Sequence, residues 1–375
     1  MAEQFLAIVD ADKIHDYVFS PHELRLIRGG SVLQSTLNME TLPELAADDY
    51  AGNLVYAGGG TTLVSFAGEK EALNFCAAAE ACYAERTAIG TATSAWIEVG
   101  EREFPEARDR LFGLLERRKN ARNAHQRPEG SPFSELCSAC GEYAAAVRDP
   151  EPERERRICL ACLQRLVWSG RPTLLPAGRK PTKDLTKVGG LAQPAGYIAV
   201  VYIDLDRAGA FLRDRATTMK AYGELSRGMR DSVKGAVHTG LEKAVPTGGD
   251  REVGYEVFLL GGDDAVVAVP ANRLFAFLEE FQVRYHQAWR DGPHPSFSAG
   301  AVLTQAHTPI AAMLRQAEEL LRSAKRMPKT ERAGRDFGND AVDYCISAGT
   351  ESDDVLAERA EGGCKIFCVN VLRNN

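Results

Sequence analysis

The sequence predicts an α+β protein with two similar halves, and three observations lead to this expectation. The order strand, helix, hairpin, helix, strand, helix occurs once in residues 5–120 and again after residue 195. An acid lies near the end of the first strand of each half, Asp10 and Asp204, 194 residues apart. A glycine turn follows in each half, at Gly58 and Gly261, 203 residues apart. These near-equal spacings indicate an internal duplication.

Composition places the chain among ordinary globular proteins. It has 375 residues, of which 45% are hydrophobic and 26% charged, enough to build two or three compact units. A formal charge of −7 argues against broad, non-specific binding to a phosphate backbone. No basic segment followed by a long apolar run opens the sequence, so we expect a cytoplasmic protein without a membrane span.

The first half begins with a short apolar run that ends in Asp10, which predicts a buried strand. Three glycines between two β-prone runs then predict a hairpin whose turn needs positive φ or a close backbone approach. The predicted elements are a strand at 5–11, helical sequence up to residue 38, a hairpin at 53–66, a helix at 69–85, a strand at 87–99 and a helix at 103–120.

The composition changes between residues 127 and 195, where proline, glycine, charge and cysteine dominate, and this predicts an insert and a linker. Two Cys-x-x-Cys pairs lie there, Cys137 with Cys140 and Cys159 with Cys162, with 18 residues between the pairs. This spacing lets four thiolates surround one tetrahedral Zn²⁺. Because the ligand set is closed, we expect a structural zinc ribbon.

The second half repeats the order of the first. Its predicted helix at 272–289 places apolar residues on one face, as in a helix packed on a core. The predicted elements are a strand at 196–206, helical sequence up to about residue 243, a hairpin at 255–270, the helix at 272–289, a strand at 295–304 and a helix that begins near Pro309.

This element order has too few crossover connections for a doubly wound sheet. It predicts a mixed sheet with helices on one face, the ferredoxin-like palm. We therefore expect an α+β protein with two ferredoxin-like palm domains and an inserted zinc ribbon. The expected boundaries are a first palm at 1–125, the zinc ribbon and linker at 126–195, a second, catalytic palm at 196–350 and a C-terminal tail at 351–375.

Carboxylates cluster at two predicted strand ends of the second half. Asp204 and Asp206 close the buried strand, and Asp263 and Asp264 follow two glycines at the hairpin. In a palm these strands are neighbours, so the acids can hold Mg²⁺, or Mn²⁺, against the phosphates of a nucleotide. Asp204 with Asp263 is the expected metal pair, and Asp264 is a second ligand or polarises the attacking 3′-hydroxyl. A polar hairpin tip on a surface sheet is the alternative interpretation.

Other residues are candidates for binding the nucleotide. Gly261 and Gly262 would let backbone amides approach the phosphates, and Leu205 lies between the two acids of the strand. Lys325 could reach the phosphates, or it could complement the dipole of its own helix. Ser226 is a weaker candidate, which a place on the surface explains equally well.

These motifs resemble the large palm-containing subunit of type III CRISPR effector complexes, the Cmr2/Csm1-type family, in which the subunit polymerises ATP into cyclic oligoadenylates. The GGDD hairpin is also similar to the GGDEF hairpin of diguanylate cyclases, and in both families the third position binds metal, which supports Asp263. The resemblance rests on IHDYVFSPHELRLIRGGS (14–31), YAGGG (56–60), the cysteine pairs, YIDLD (202–206), LSR (225–227), GGDD (261–264) and AEELLRSAK (317–325).

The resemblance covers most of the chain and has two departures. Related subunits usually carry an HD nuclease domain and a C-terminal helical domain, for which the sequence leaves no room, so we expect a minimal or stand-alone relative. The first half has Gly60 and Thr61 in place of Asp263 and Asp264, so it cannot build the same metal site. In the family the first palm binds a second nucleotide at the palm–palm interface. The resemblance assigns this role to Gly58, Gly59, Gly60 and Ser31, and a tight turn with a packed helix explains them equally well.

The leading hypothesis is a Mg²⁺-dependent nucleotidyltransferase that converts ATP into a cyclic oligoadenylate or a related cyclic nucleotide, a second messenger in antiviral defence. A 3′-hydroxyl would attack an α-phosphate held at Asp204, Asp263 and Asp264. The alternative is a non-catalytic ATP-sensing or scaffold subunit of a CRISPR-like ribonucleoprotein complex. An RNA or protein activator is a further candidate partner. A third hypothesis is an RNA-binding effector subunit that uses the zinc ribbon; the acidic charge balance argues against it, although a local basic patch could form at Arg154, Arg156, Arg157, Arg179 and Lys180.

Overall fold

The computed structural model describes residues 4–99, 103–121, 133–151, 153–171, 174–245, 252–290, 292–326 and 340–347. The predicted tail, 351–375, lies outside these residues. The chain divides into two compact units. Unit 1 comprises Met1–Arg171 with Leu212–Gly228, and unit 2 comprises Pro172–Phe211 with Met229–Asn375. No helix in the described ranges is long and apolar enough to cross a bilayer.

Unit 1 contains a four-stranded antiparallel sheet. Its strands are β1 (Phe5–Ala11), β2 (Asn53–Gly58), β3 (Thr61–Phe66) and β4 (Ala92–Glu98). They lie in the order β2-β3-β1-β4. At the turn between β2 and β3, Gly59 and Gly60 have φ values of 60° and 85°. Glycine adopts this left-handed backbone at less cost than other residues, so the turn itself favours glycine at these positions.

The helices of unit 1 lie between the strands and after the last one. The longest buries residues spaced three and four apart, Ala72, Phe75, Cys76, Ala79 and Tyr83, which gives it one apolar face. The helices are α1 (Ile14–Phe19), α2 (Leu24–Thr36), a π-helical stretch (Leu37–Thr41), α3 (Leu42–Tyr50), α4 (Glu69–Thr87) and α5 (Phe104–Ala121).

The cysteine segment folds as part of unit 1. It contains β5 (Val147–Arg148), β6 (Arg157–Ile158) and α6 (Leu160–Trp168). Its buried residues form one apolar cluster with Leu26 of α2. A Cβ at Gly29 would lie 1.8 Å from the carbonyl oxygen of Arg165, so the backbones of α2 and α6 are in contact. The structure thus divides the predicted segment 126–195, because its cysteine-bearing part packs with the first unit.

Unit 2 contains a five-stranded sheet. Its strands are β7 (Tyr197–Leu205), β8 (Glu256–Leu260), β9 (Asp264–Pro270), β10 (Phe297–Gln305) and β11 (Ala341–Ile346). They lie in the order β11-β10-β7-β9-β8. β11 pairs parallel with β10, and the other pairs are antiparallel. The central strand β7 is buried from residue 198 to residue 203, which explains its continuous apolar sequence.

Helices accompany this sheet as well. One of them, α11 (Ile310–Arg326), packs against β10 so closely that a Cβ at Gly300 would lie 2.1 Å from the carbonyl oxygen of Ala317. Two others, α8 (Ala208–Arg215) and α9 (Met219–Ala244), are divided between the units at residues 212 and 228. The remaining helices are α7 (Leu185–Gly190), a 3-10 turn (Ala271–Arg273) and α10 (Leu274–Ala288).

The two sheets share one strand order. β2-β3-β1-β4 of unit 1 corresponds to β8-β9-β7-β10 of unit 2. The hairpins of the two units have the same register. Tyr56 pairs with Leu63 in unit 1, and Leu259 pairs with Val266 at the corresponding positions of unit 2. In each hairpin the strand pairing is irregular at the residue before, Val55 or Phe258. The predicted α+β class and the predicted repeat of element order are confirmed. β11 was not predicted from the sequence.

Candidate active site

Three acids of unit 2 lie at neighbouring strand ends. β7 and β9 are antiparallel neighbours, and their register pairs Asp204 with Asp264. The N–H of Leu205 donates to the carbonyl oxygen of Asp263 at 3.0 Å. All three acids are half-buried. The structure therefore brings together the predicted metal residues, with the backbone of Leu205 between them.

Burial and mutual repulsion make this acid cluster costly to ionise. Burial, reinforced by the charges of Asp264 and Asp204, raises the pKa of Asp263 to about 7. Burial also raises the pKa of Asp204, although a hydrogen bond from Lys325 acts in the opposite direction. Carboxylates that are held together in this way favour the addition of a positive charge, which is typical of a functional cation site.

Lys325 contacts the acid cluster from the last turn of α11. Its Nζ donates to Oδ2 of Asp204. The lysine side chain is 38% exposed, so it can leave the acid without disturbing the core. For Lys325 to reach phosphates as predicted, it must first exchange this ion pair for the nucleotide. The helix-dipole interpretation accounts for a lysine at the end of α11 but not for its contact with Asp204.

The turn between β8 and β9 uses glycine for a spatial reason. A Cβ at Gly261 would lie 2.0 Å from Oδ1 of Asp264, so the glycine leaves room for this carboxylate beside the turn. The N–H of Gly261 donates to the carbonyl oxygen of Asp264 at 2.9 Å. This amide is therefore engaged within the turn, and its predicted approach to phosphates would require that bond to open. Gly262 is buried beside it.

The donors present fit a hard divalent cation. Mg²⁺ binds oxygen ligands and is commonly held by one or two carboxylates together with substrate phosphates. Asp204, Asp263 and Asp264 lie at two adjoining strand ends, and the pKa of Asp263 is raised in part by the charges of the other two, so added positive charge is favoured here. These residues would hold such an ion.

Unit 1 has a related arrangement without the acids of the turn. Its register pairs Asp10 with Thr61, as unit 2 pairs Asp204 with Asp264. Thr61 Oγ1 donates to Asp10 Oδ1, and the Nζ of Lys119, near the end of α5, donates to Asp10 Oδ2. Lys119 thus corresponds to Lys325, and the sequence interpretation missed it. The available signal was a lysine near the end of the helix that follows the last antiparallel strand in each half.

The remaining predicted nucleotide-binding residues lie in unit 1. Gly58, Gly59 and Gly60 form the turn described above. Ser31 and Ser226 are 2% and 1% exposed, and their hydroxyls have no hydrogen-bond partner among the described residues. The surface interpretation of Ser226 is therefore wrong, because the side chain is buried, and its segment belongs to unit 1. A role of these residues in nucleotide binding stays a prediction.

The four predicted zinc ligands form one cluster. The sulfur atoms of Cys137, Cys140, Cys159 and Cys162 lie within 4.8 Å of one another, and all four residues are buried. A tetrahedral ion with bonds of about 2.3 Å separates its sulfur ligands by about 3.8 Å. The sulfurs of Cys140 and Cys159 are 3.9 Å apart. The cluster is therefore compatible with Zn²⁺, as the sequence predicted.

Backbone N–H groups and one arginine surround these sulfurs. The N–H of Ala139 donates to Cys137, and the N–H of Cys162 donates to Cys159, each at 3.4 Å. Arg165 is fully buried, donates to Cys162 at 3.5 Å and also donates to the carbonyl oxygen of Tyr17. It offsets part of the negative charge that four thiolates bring to a divalent ion. The sequence interpretation missed Arg165, since nothing in its helical spacing distinguishes it from a surface arginine.

The arginines of the predicted RNA patch are paired with acids. Internal ion pairing of this kind lowers the net positive charge that a phosphate backbone would meet. The pairs are Arg154 with Glu23 and Glu151, Arg156 with Glu23 and Asp149, Arg157 with Glu135, and Arg179 with Glu242.

Comparison with known families identifies the kind of domain in unit 2. Residues 197–334 match the family model described as Cas10/Cmr2, second palm domain. The matched residues, which apart from 212–228 belong to unit 2, therefore contain a palm domain, and the predicted resemblance to a Cmr2/Csm1-type palm subunit is confirmed. No sequence match is found among curated proteins.

Solved structures extend the likeness in fold to most of the chain. A Csm1–Csm4 cassette in complex with cA4 matches with a TM-score of 0.62 and 17% identity, over 92% of this chain and 54% of that one. A Csm1–Csm4 cassette in complex with one ATP matches with a TM-score of 0.63, 18% identity and coverages of 91% and 54%. A Csm1–Csm4 subcomplex of the type III-A CRISPR-Csm interference complex gives the same values. The chain thus spans about half the length of the solved chains that it matches.

Proposed function

We propose that the chain is a nucleotidyltransferase that converts ATP into a cyclic oligoadenylate or a related cyclic nucleotide signal. The observation that carries the proposal is the convergence of Asp204, Asp263 and Asp264 at two paired strand ends of a palm domain. The likeness to Csm1 structures described in complex with ATP and with cA4 agrees with it. On this proposal, unit 1 is also a palm, since its sheet has the same strand order.

The chemistry needed is mostly alignment and charge neutralisation. A divalent cation held by the acids would supply positive charge to the phosphates of ATP. Asp204 and Asp263 would hold the cation to which the α-phosphate binds, and Asp264, beside the turn at Gly261, would polarise an incoming 3′-hydroxyl. Lys325, when it leaves Asp204, stabilises the negative charge of the departing pyrophosphate.

The second nucleotide would bind to unit 1. Its strand end carries Asp10, Lys119 and Thr61, with the glycine turn beside them. Because Gly60 and Thr61 replace the two acids of the turn, unit 1 supplies a binding surface and not a second catalytic centre. We therefore propose one catalytic centre in each chain. Antiviral signalling, an RNA or protein activator and a cytoplasmic location belong to the same proposal.

The test is product analysis with zinc-loaded protein. The protein is incubated with each nucleoside triphosphate and Mg²⁺ or Mn²⁺, alone and with RNA, and the products are separated by mass. We expect phosphodiester products from ATP and pyrophosphate release, both abolished in Asp263→Ala with Asp264→Ala. Asp231→Ala is the control, because Asp231 is an exposed acid of unit 2 whose side chain is 64% exposed.

One result would favour the alternative of a non-catalytic ATP-sensing or scaffold subunit. Calorimetry would then show ATP binding without turnover, unchanged in the Asp263→Ala, Asp264→Ala variant. Failure to form product from any nucleotide, under every activator supplied, would contradict the proposal.

A further inference from the structure

One carboxylate next to the acid cluster makes a different set of contacts. Asp206 follows β7 directly, two residues after Asp204. Ser296 Oγ donates to its Oδ2 at 2.8 Å, and Ser298 Oγ donates to its Oδ1 at 2.7 Å. The N–H of Asp206 donates to the carbonyl oxygen of Ser296 at 2.7 Å. We call these three residues the unit 2 clamp, because they fasten the end of β7 to the start of β10.

Unit 1 repeats this clamp at the corresponding positions. Asp12 follows β1, and it accepts hydrogen bonds from Thr91 Oγ1 at 3.0 Å and from Thr93 Oγ1 at 2.9 and 3.0 Å. The N–H of Asp12 donates to the carbonyl oxygen of Thr91 at 2.8 Å. Thr91 and Ser296 each precede their strand by one residue, and Thr93 and Ser298 are each its second residue.

An acid at such a strand end can bind a metal or hold the backbone in place, and the comparison of the two units distinguishes these roles. Unit 1 has Gly60 and Thr61 where unit 2 has Asp263 and Asp264, yet it keeps a complete clamp. A carboxylate whose main role is to bind a metal would have no reason to keep both hydroxyl donors in the unit that lacks the other metal acids. The clamp therefore belongs to the geometry of the strand end.

In unit 2 that geometry determines where the candidate metal ligands point. Ser298 is the residue of β10 that pairs with Asp204, and Asp204 also pairs with Asp264 on the other side. The backbone of Leu205 lies between Asp204 and Asp206 and bonds to Asp263. Any rotation at the end of β7 would move Asp204 and Leu205 away from the turn that carries Asp263.

We propose that Asp206 is a positioning residue that acts through Ser296 and Ser298 to hold Asp204 and Leu205 in register for cation binding, and is not itself a cation ligand. This inference rests on the proposed function of the acid cluster. It makes the two serines part of the functional machinery, although they do not touch the reacting atoms.

The experiment measures Mn²⁺ affinity by electron paramagnetic resonance, with Mn²⁺ alone as the probe and zinc-loaded, full-length protein. We expect Asp206→Asn and the double variant Ser296→Ala, Ser298→Ala to weaken binding to similar extents, about 10-fold or more, as is common for residues that orient metal ligands. Ser296→Thr with Ser298→Thr, which copies the hydroxyls of unit 1, should keep the wild-type affinity.

Asp12→Asn is the control in unit 1. It breaks the clamp of unit 1 and also an ion pair with Lys119, so it should lower the melting temperature at least as much as Asp206→Asn does and leave Mn²⁺ affinity unchanged. If the double alanine variant binds Mn²⁺ as tightly as the wild type while Asp206→Asn does not, Asp206 is a direct ligand and the inference is overturned. Unchanged affinity in all variants overturns it too.

Two further outcomes are also decisive. If Asp206→Asn does not fold, the serine variants still decide, because they leave the carboxylate in place and differ only in the hydroxyls. If the wild type binds no Mn²⁺, the proposed function fails. If the wild type binds Mn²⁺ and all variants bind it equally well, only the role of Asp206 fails.

Discussion

At the residue scale, the acid cluster of unit 2 has a stability cost that depends on pH. Asp263 has a pKa of about 7 in the folded chain, well above the usual value for aspartate. Between the two values the folded state holds a proton that the unfolded state has released. Stability therefore falls as the pH rises through this window. A bound cation would remove the cost.

This cost predicts a measurable pH slope. In buffer freed of divalent ions without a chelator, the free energy of unfolding should fall between about pH 4 and pH 7, by roughly 4 kcal/mol at most. Asp263→Asn should remove most of the slope, and added Mg²⁺ should do the same for the wild type. Urea denaturation at several pH values measures it. A slope that is identical in the variant would contradict the assignment.

Lys325 and Lys119 allow a second prediction at this scale. Each lysine pairs with a strand-end acid, but only Lys325 faces a neighbouring pair of turn acids. Removing its charge should strengthen Mn²⁺ binding in the absence of nucleotide, because the ion then displaces no ion pair. After discounting for solvent exposure, we expect about 1 kcal/mol, or about fivefold, for Lys325→Met.

The same variant should weaken ATP binding, since the lysine would no longer reach the phosphates. Lys119→Met is the matched control and should leave Mn²⁺ affinity as in the wild type. Titration calorimetry with Mn²⁺, and then with an ATP analogue, measures both effects. Weaker Mn²⁺ binding in Lys325→Met would show that the lysine supports the site and does not compete with the ion.

At the element scale, the position of Lys325 depends on how α11 packs on β10. The helix buries an apolar face that includes Met313, Ala317, Leu320 and Leu321. Its backbone lies against Gly300, where a Cβ would be 2.1 Å from the carbonyl oxygen of Ala317 and 2.2 Å from the N atom of Leu321. Neither backbone atom can move alone, so a larger residue must displace the helix.

We therefore predict that Gly300→Ala destabilises the protein by about 1–3 kcal/mol and weakens ATP binding, because Lys325 moves with the helix. The control is Gly235→Ala in α9, where an added Cβ meets no atom within 4 Å. In a helix that change should be neutral or stabilising by up to about 1 kcal/mol. Urea denaturation compares the two variants. Equal stability of Gly300→Ala and the wild type would contradict the packing argument.

The strands and helices were largely predictable from the sequence, but their division between the two units was not. Apolar periodicity and the glycine turns gave the order of strands and helices in both halves, because these signals are local. The packing of the cysteine segment and of residues 212–228 into unit 1 depends on contacts between distant parts of the chain. β11 is a six-residue strand that pairs parallel with β10, and so short a run carries little periodic signal.

The candidate site shows the same division. The acids and the cysteines were identified because their spacing is chemically specific, and the structure brings each set together. Lys119, Arg165 and the serines of the clamp carry no motif, and their partners are far away in sequence. The sequence left open whether Ser226 lies on the surface, since burial of a single serine on a long helix is decided by tertiary packing.

At the scale of the whole molecule, the zinc cluster should stabilise one unit and not the other. The cysteine segment shares a buried cluster with Leu26 of α2, and Gly29 of α2 touches Arg165 of α6. Loss of the metal would therefore loosen α2 as well as the cysteine segment. The sheet of unit 2 contains none of these residues.

Removal of zinc with a membrane-permeant chelator should thus destabilise unit 1 by more than about 2 kcal/mol, given the large share of folding energy that structural zinc contributes. Hydrogen exchange followed by mass spectrometry should show faster exchange in residues 24–36 and 133–171 and unchanged exchange in β7 and β10. Cys137→Ser should reproduce the effect. Uniform acceleration across both units would contradict it.

The matching hairpin registers of the two units also bear on descent. Two segments with the same strand order, the same irregularity before the turn and the same lysine–aspartate pair are most simply explained as copies of one ancestral unit. Both copies kept what the strand end needs to fold, including its carboxylate and two hydroxyls. Within this strand end, the proposed cation site of unit 2 differs from unit 1 at two adjacent positions, Asp263–Asp264 in place of Gly60–Thr61, so two neighbouring codons separate the two copies there.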